Sequence, residues 1–149
     1  MTDREDNPKT DFFSLLFMTR NRIRFALDDH FRPMGLTDAT WRTLFYLDQM
    51  GNGVSQKQLA RVMSIEGPSL VRLLDNLEAR HLIERQPSLN DRRAKSVHLT
   101  SEAMPLIETL RESAAVIRQE LLQDVSDEEV RCCLRVFDAI LARCDAKEA

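Results

Sequence analysis

A change of hydrophobic period within one short stretch is the feature that most constrains the fold of this chain. Two short helical patterns come first, one opened by a capping box of Ser55 and Gln58 and the other beginning at Pro68, a residue suited to the first turn of a helix. Directly after them, residues 82–86 and 96–99 alternate between polar and apolar side chains, as half-buried strands do. Two helices followed by a β-hairpin are typical of a winged helix-turn-helix.

Longer helical patterns flank this winged region on both sides. In the 149-residue chain, Asp11 is the predicted N-cap of a first helix, and two more helices follow the hairpin. We therefore expect a mainly α fold of about six helices with a small β-hairpin wing. The predicted organisation is a disordered or flexible N-terminus over 1–11, a winged helix-turn-helix domain over 37–100, and a helical dimerisation region that combines 12–36 with 101–149.

The flanking helices carry apolar stripes that are longer than one small domain can cover. In the last helix the stripe consists of Val130, Leu134, Phe137, Leu141 and Cys144. Exposed apolar surface on this scale usually marks an interface, and two-fold symmetry is the commonest arrangement of such interfaces. The pattern predicts a homodimer, with a monomeric helical bundle as the alternative.

The charge of the chain is unevenly distributed. The formal net charge is −3, but the stretch 54–100 holds eight basic and five acidic residues, so it carries +3 and the rest of the chain carries −6. A basic segment between acidic flanks is typical of a protein whose middle meets a polyanion. Because a run of charge is more often a solvated face, the interpretation depends on the winged helix beneath it.

Several other classes of protein are disfavoured. The sequence has no apolar run near the roughly 18 residues of a membrane helix, and its polar start is unlike a secretory signal, so we expect a cytoplasmic protein without membrane attachment. The three histidines lack metal-ligand spacing, and no phosphate loop or nucleophile motif occurs. Neither an enzyme, a metal site nor a cofactor is therefore expected.

Three cysteines occur late in the chain, at Cys132, Cys133 and Cys144, without a CxxC pair. In a reducing cell they are expected to act as small hydrophobes on a helix face. An intermolecular redox switch across the dimer is the alternative.

Several short motifs of the winged region occur together in one known family. These are Glu-Gly-Pro-Ser-Leu-Val-Arg at 66–72, Leu-Asp-Asn-Leu-Glu at 74–78, and above all Asp-Arg-Arg-Ala-Lys at 91–95 followed by Leu-Thr at 99–100. Together they resemble the MarR family of bacterial winged-helix regulators, and the Leu-Thr-x-x-x-Trp segment at 36–41 is closest to the SlyA branch. The resemblance covers about residues 22–137. It implies a dimeric, nucleoid-associated protein that binds DNA and regulates transcription, for example as a repressor.

The helix that begins at Pro68 is the predicted reader of the DNA major groove, where each base pair displays a distinct hydrogen-bonding pattern. Ser69, Arg72 and Asn76 are spaced so that they share one face of this helix. Arg72 is expected to pair with guanine or to hold a phosphate, and Pro68 and Ser69 to meet a phosphate or a thymine methyl. For Asn76, a solvated surface position is the alternative. The inward side is expected to hold Leu70, Val71, Leu74 and Leu77.

The loop of the hairpin is the predicted minor-groove element. Arg93 at its tip carries a guanidinium, which a narrow A·T-rich groove favours. The resemblance implies that Asp91 accepts hydrogen bonds that hold this arginine, with a turn-forming aspartate as the alternative. The DNA site is expected to be an inverted repeat with half-site centres about 34–36 Å apart. Further phosphate contacts are expected from Lys57, Gln58, Arg85, Arg92 and Lys95.

The resemblance also implies a site for a small aromatic carboxylate such as salicylate, in a crevice between the dimer helices and the DNA-binding lobe. Arg24 and Trp41 match positions that line this crevice in the SlyA branch, and Phe45 stands beside them where that branch can have histidine. An arginine pairs with a carboxylate, and an indole gives a flat apolar wall. The alternatives are a core position for Trp41 and an ion pair with an acid such as Asp28 for Arg24.

Two other functions fit the same fold. One is a winged-helix adaptor that binds only protein, which predicts no salt-sensitive binding to DNA. The other is a redox-sensing regulator without an aromatic ligand. The organic-peroxide sensors of the family carry a reactive cysteine in the first helical region, whereas the first cysteine of this chain is Cys132.

Overall fold

Helices dominate the architecture, and a small three-stranded sheet takes one strand from between the second and third helices and two from between the fourth and fifth. The structure is a computed structural model that describes residues 7–51, 53–88 and 94–148. Residues up to Ala114 form one compact unit and those from Ala115 a second. The described residues form helices α1 (Pro8–Phe31), α2 (Asp38–Met50), α3 (Gln56–Met63), α4 (Gly67–Ala79), α5 (Met104–Leu121) and α6 (Asp127–Glu148), strands β1 (Val54–Ser55), β2 (Ile83–Pro87) and β3 (Lys95–Leu99), and 3₁₀ turns at Arg32–Met34 and Ser101–Ala103.

This mainly α arrangement with a small wing confirms the predicted fold class. The strand order is β1-β3-β2, with both pairs antiparallel. The sequence did not predict β1, which pairs Val54 with Val97 and Ser55 with Ser96. At the other end of the hairpin the Ser88 amide donates to the Ala94 carbonyl (2.9 Å), so the two ends of the wing loop lie together.

Local capping explains where most helices begin. Thr37 caps α2 by accepting from the Thr40 amide, and Ser55 forms the expected capping box with Gln58 at the start of α3. In the second unit, Ser126 and Glu129 exchange the same pair of contacts ahead of α6. The expected capping box at Ser55 is confirmed, and in all three caps a side-chain oxygen accepts from an otherwise unpaired amide.

Helix α1 begins about one turn earlier than its predicted N-cap at Asp11. The cap is Asn7, whose side chain accepts from the Lys9 amide (3.1 Å), and Pro8 occupies the first turn. Asparagine before proline is a strong start signal, so residues 8–11 of the expected flexible N-terminus are helical.

The core of the first unit lies where α2, α3 and α4 meet the sheet. On α4 the buried side chains are Leu70, Leu74 and Leu77. The expected inward position of Val71 was wrong, because it is 40% exposed, and Phe45 on α2 is 37% exposed. A core-facing stripe occupies one side of a helix, and each of these residues lies at its edge, where helical spacing alone does not decide between burial and exposure.

Two ion pairs connect the flanking helices to α2. The Arg111 guanidinium of α5 contacts both oxygens of Asp48, at 2.9 and 2.5 Å. From α1, Arg24 Nε lies 3.5 Å from Asp38 Oδ1. Within the described ranges, none of the helices is both long and apolar enough to cross a membrane.

Val71 and Leu74, which lie about one turn apart on α4, test which side of this helix is buried. Leu74→Ala should lower the free energy of unfolding by about 2–5 kcal/mol, since it leaves a cavity in the core. Val71→Ala should change it by about 0.5 kcal/mol or less, because the side chain is already solvated. Urea unfolding at one fixed protein concentration measures both, and equal losses would contradict this seating.

Candidate nucleic-acid interface

Helices α3 and α4 form the helix-turn-helix. The turn between them is tight because Ser64 adopts a left-handed conformation (φ 53°), with its amide bonded to the carbonyls of Ala60 and Arg61. Arg42 of α2 anchors the same place, since its guanidinium donates to the Met63 carbonyl at 3.3 Å. The end of α3 is thus held by α2 directly ahead of the recognition helix.

Helix α4 presents a small polar surface to solvent. Pro68, Ser69, Arg72 and Asn76 are all exposed, on the side away from the buried leucines. The N-cap residue Glu66 makes no side-chain capping bond, so the first amides of the helix have no side-chain acceptor there. Free amides and the positive end of the helix dipole suit an anion such as a phosphate.

Arg85 on β2 is bound within the domain. Its Nε donates to Glu78 Oε2 (3.1 Å), one terminal nitrogen contacts Glu78 Oε2 (2.5 Å) and Asp75 Oδ1 (2.6 Å), and its backbone amide donates to Glu78 Oε1 (3.0 Å). The Arg85 side chain is only 14% exposed. These contacts attach α4, the predicted recognition helix, to the wing. They occupy the Arg85 guanidinium, which was expected to contact phosphate.

The charges of this cluster shift one another. Hydrogen bonding from Arg85 lowers the pKa of Glu78 despite the opposing effect of burial, and the charge of Lys95 acts in the same direction. The hydrogen bond from Glu78 correspondingly raises the pKa of Arg85. Both groups therefore stay charged at neutral pH, and Arg85 offsets two carboxylates that lie beside the surface predicted to face DNA.

The remaining expected phosphate contacts have different surroundings. Lys57 and Lys95 are exposed. Gln58 is exposed as well, but its Oε1 accepts from the amide and hydroxyl of Ser55, which leaves its side-chain NH₂ for another partner. Three residues of the predicted wing tip lie outside the described residues: Asp91, Arg92 and Arg93.

Sequence reasoning missed Asp75 and Glu78 as members of the site. They lie three residues apart on α4, so they share a face, and a single arginine on the following strand bridges both. The sequence did contain a signal for this ion pair. Two acids on the solvent side of a recognition helix would repel DNA unless they were paired, and an arginine follows them in the next strand.

The three expected ligand residues do not lie in equivalent environments. Trp41 is buried in the core against Phe31, with ring centroids 5.3 Å apart, whereas Phe45 is largely on the surface. Arg24 pairs with Asp38, while the acid considered as its partner, Asp28, pairs with Arg32 (3.1 Å). The core alternative for Trp41 and an ion pair for Arg24 thus both apply, the latter with a different acid.

Known proteins share this arrangement. A family model described as MarR family matches residues 34–94. The transcriptional regulator PA3341 is 36% identical over 91% of this chain and 98% of its own, with a TM-score of 0.84. S. aureus MepR in a DNA complex is 26% identical over 88% and 96%, with a TM-score of 0.69. An E. coli MarR mutant complexed with operator DNA, at 23% identity over 93% and 99%, shares the fold with a TM-score of 0.74.

The Glu78–Arg85 contact predicts a pH-dependent difference in stability. The pKa of Glu78 is lowered in the folded state, so its carboxylate stabilises the fold fully at pH values above the usual pKa of a glutamate, about 4.3. That contribution is lost as pH falls through the folded pKa. Glu78→Gln should therefore destabilise the protein most at pH 7, with a difference that shrinks towards pH 3. Urea unfolding of both proteins at each pH measures it, and an undiminished difference at pH 3 would contradict the assignment.

Proposed function

The chain belongs to the MarR family, and from that premise we propose that it is a sequence-specific regulator of transcription that binds an inverted-repeat operator as a homodimer in the bacterial nucleoid. The observation that carries the proposal is the two-sided character of α4, whose leucines are buried while its polar side chains are exposed. DNA complexes of the structurally similar MepR and MarR support the same use of this fold.

In this proposal α4 reads the major groove. Arg72 pairs with a guanine, since its guanidinium is exposed and no ion-pair partner for it lies in the part of the chain that the structure describes. Asn76, one turn further, meets a base edge or the backbone, and the start of the helix around Pro68 and Ser69 receives a phosphate.

The wing supplies the minor-groove contact. We assign it to Arg93, with Asp91 orienting that side chain and Arg92 beside it on phosphate; these assignments come from the motif at 91–95. Lys57, Gln58 and Lys95 add phosphate contacts from the exposed surface. Arg85 acts differently, because its bonds to Asp75 and Glu78 suit it to fix the wing against α4.

Dimerisation follows from apolar surface that each unit leaves uncovered. On α1, Leu15 and Phe17 are both exposed although they lie about 200° apart around the helix, so uncovered apolar surface is not confined to one face. Exposed apolar surface on this scale usually marks an interface. On α6 the uncovered side chains are Leu134, Val136, Phe137 and Leu141. A second copy of the chain is the partner that would cover both helices.

Replacing the wing arginine tests this function. Arg93→Ala should weaken binding to a duplex selected from random DNA by roughly tenfold or more, since a groove contact by arginine is worth about 1–3 kcal/mol. The matched control is Arg32→Ala, which removes the same charge from a residue paired with Asp28 and Asp29 on α1. Fluorescence anisotropy measures both affinities, and an equal effect of the two changes would remove the wing from the mechanism.

We further propose that an aromatic carboxylate regulates the protein in the manner of the SlyA branch. Arg24 is the cation for the carboxylate, since it and its partner Asp38 are each 35% exposed and their closest atoms are 3.5 Å apart, which leaves the pair open to exchange. Trp41 and Phe45 lie on the adjoining helix α2. A ligand regulates binding only if it favours an arrangement of the lobes unsuited to the operator.

Salicylate is the probe for this ligand site. Trp41 is the one tryptophan of the sequence, so binding near it should quench or shift the fluorescence of the whole protein. A saturable change is expected in the millimolar range or below, with a matched weakening of operator binding. The absence of both effects would exclude salicylate as a ligand.

A further inference from the structure

Asp38 lies at a junction where α1 meets α2, and its partner Arg42 also reaches α3. It is the first residue of α2, and its two carboxylate oxygens face different arginines. Oδ1 lies 3.5 Å from Nε of Arg24 on α1, and Oδ2 accepts from Arg42 at 3.3 Å. One carboxylate is thus shared between the proposed ligand-binding arginine and an arginine of the DNA-binding lobe.

Two polar side-chain atoms of α2 are buried without a hydrogen-bond partner among the described residues. They are Asp38 Oδ1, which has its ion pair with Arg24 but no hydrogen bond, and the indole nitrogen Nε1 of Trp41. The two residues lie three apart on α2 and therefore share a face. Trp41 is 5% exposed, so an unused N–H donor there needs an explanation.

Arg42 connects Asp38 to the helix-turn-helix. One guanidinium nitrogen donates to Asp38 and the other to the carbonyl of Met63, the last residue of α3. Both donor–acceptor distances are 3.3 Å. The Arg42 side chain is only 13% exposed, so its geometry is set by these two partners. Both bonds are long for a charge-assisted pair, and tightening one would draw the guanidinium from the other.

We propose that Asp38 is the positioning residue that couples ligand binding to DNA binding, by competing with the ligand carboxylate for Arg24 and by transmitting its displacement through Arg42 to the turn after Met63. This inference rests on the proposed function and concerns the regulation of the same interface. Asp38 holds Arg24 in the ligand-free protein, as a built-in substitute for a carboxylate ligand.

The competition has a definite direction. A carboxylate that takes Arg24 leaves Arg42 as the arginine bonded to Asp38. Asp38 then draws Arg42 more strongly, which weakens the bond to the Met63 carbonyl and loosens the end of α3. Because α4 follows that turn directly, the ligand acts on the recognition helix without touching DNA.

Asp38→Asn tests the coupling. The substitution keeps the side-chain shape but removes the competing charge, so the dissociation constant for salicylate should fall by about fivefold. The factor by which saturating salicylate weakens operator binding should drop to about one. Asp28→Asn is the matched control. Asp28 lies on α1 like Arg24 but pairs with Arg32 of the following 3₁₀ turn, so this variant should keep the wild-type affinity and response.

Arg42→Gln separates the two parts of the proposal. It leaves the Arg24–Asp38 pair but removes the bond to Met63, so the response of operator binding should be lost without a gain in salicylate affinity. Tryptophan fluorescence measures ligand affinity, and anisotropy with labelled operator measures the response, each on the full chain.

Three results would overturn the coupling role. They are wild-type salicylate affinity in Asp38→Asn, a full wild-type response in that variant, or no salicylate binding by either protein. A failure of the proposed function is distinguishable from these, since it would appear as a lack of operator binding by the ligand-free wild-type protein.

Discussion

The bridge from Arg85 to Asp75 and Glu78 is the interaction on which the DNA-facing surface depends. It joins β2 to α4 through side-chain and backbone bonds at once, so the recognition helix and the base of the wing form one body. It also offsets two carboxylates that would otherwise repel phosphate. The buried leucines of α4 fix which side of the helix faces solvent. The Arg85 bridge fixes where the wing lies relative to that side.

Much of this could be predicted from the sequence because the signals are local. The capping box at Ser55 and the buried leucines of α4 depend on neighbours within four residues, and both were expected. The missed features depend on distant partners. Strand β1 exists through its pairing with β3, and Arg85 is withdrawn from solvent by acids on another element. Val71 is exposed because a helical stripe has edges that spacing does not define.

The flanking helices give the winged domain two kinds of connection. Exposed apolar surface on α1 and α6 is what the proposed second chain would cover, and such a dimer would hold two recognition helices in one assembly. Polar contacts from Arg24 to Asp38 and from Arg111 to Asp48 join α1 and α5 to α2. In the proposed coupling, a change at α1 would reach the helix-turn-helix through these charged side chains, whose partners can be exchanged without repacking the hydrophobic core.

In the proposed dimer, two copies present their recognition helices one DNA turn apart. Sedimentation velocity of the protein with a labelled duplex obtained by selection tests this spacing, in comparison with the same duplex carrying about five extra base pairs, half a helical turn, between its half-sites. Two chains should bind the selected duplex, and the insertion should lower the affinity at least about tenfold. One chain per duplex, or equal affinity for both duplexes, would contradict the proposed dimer.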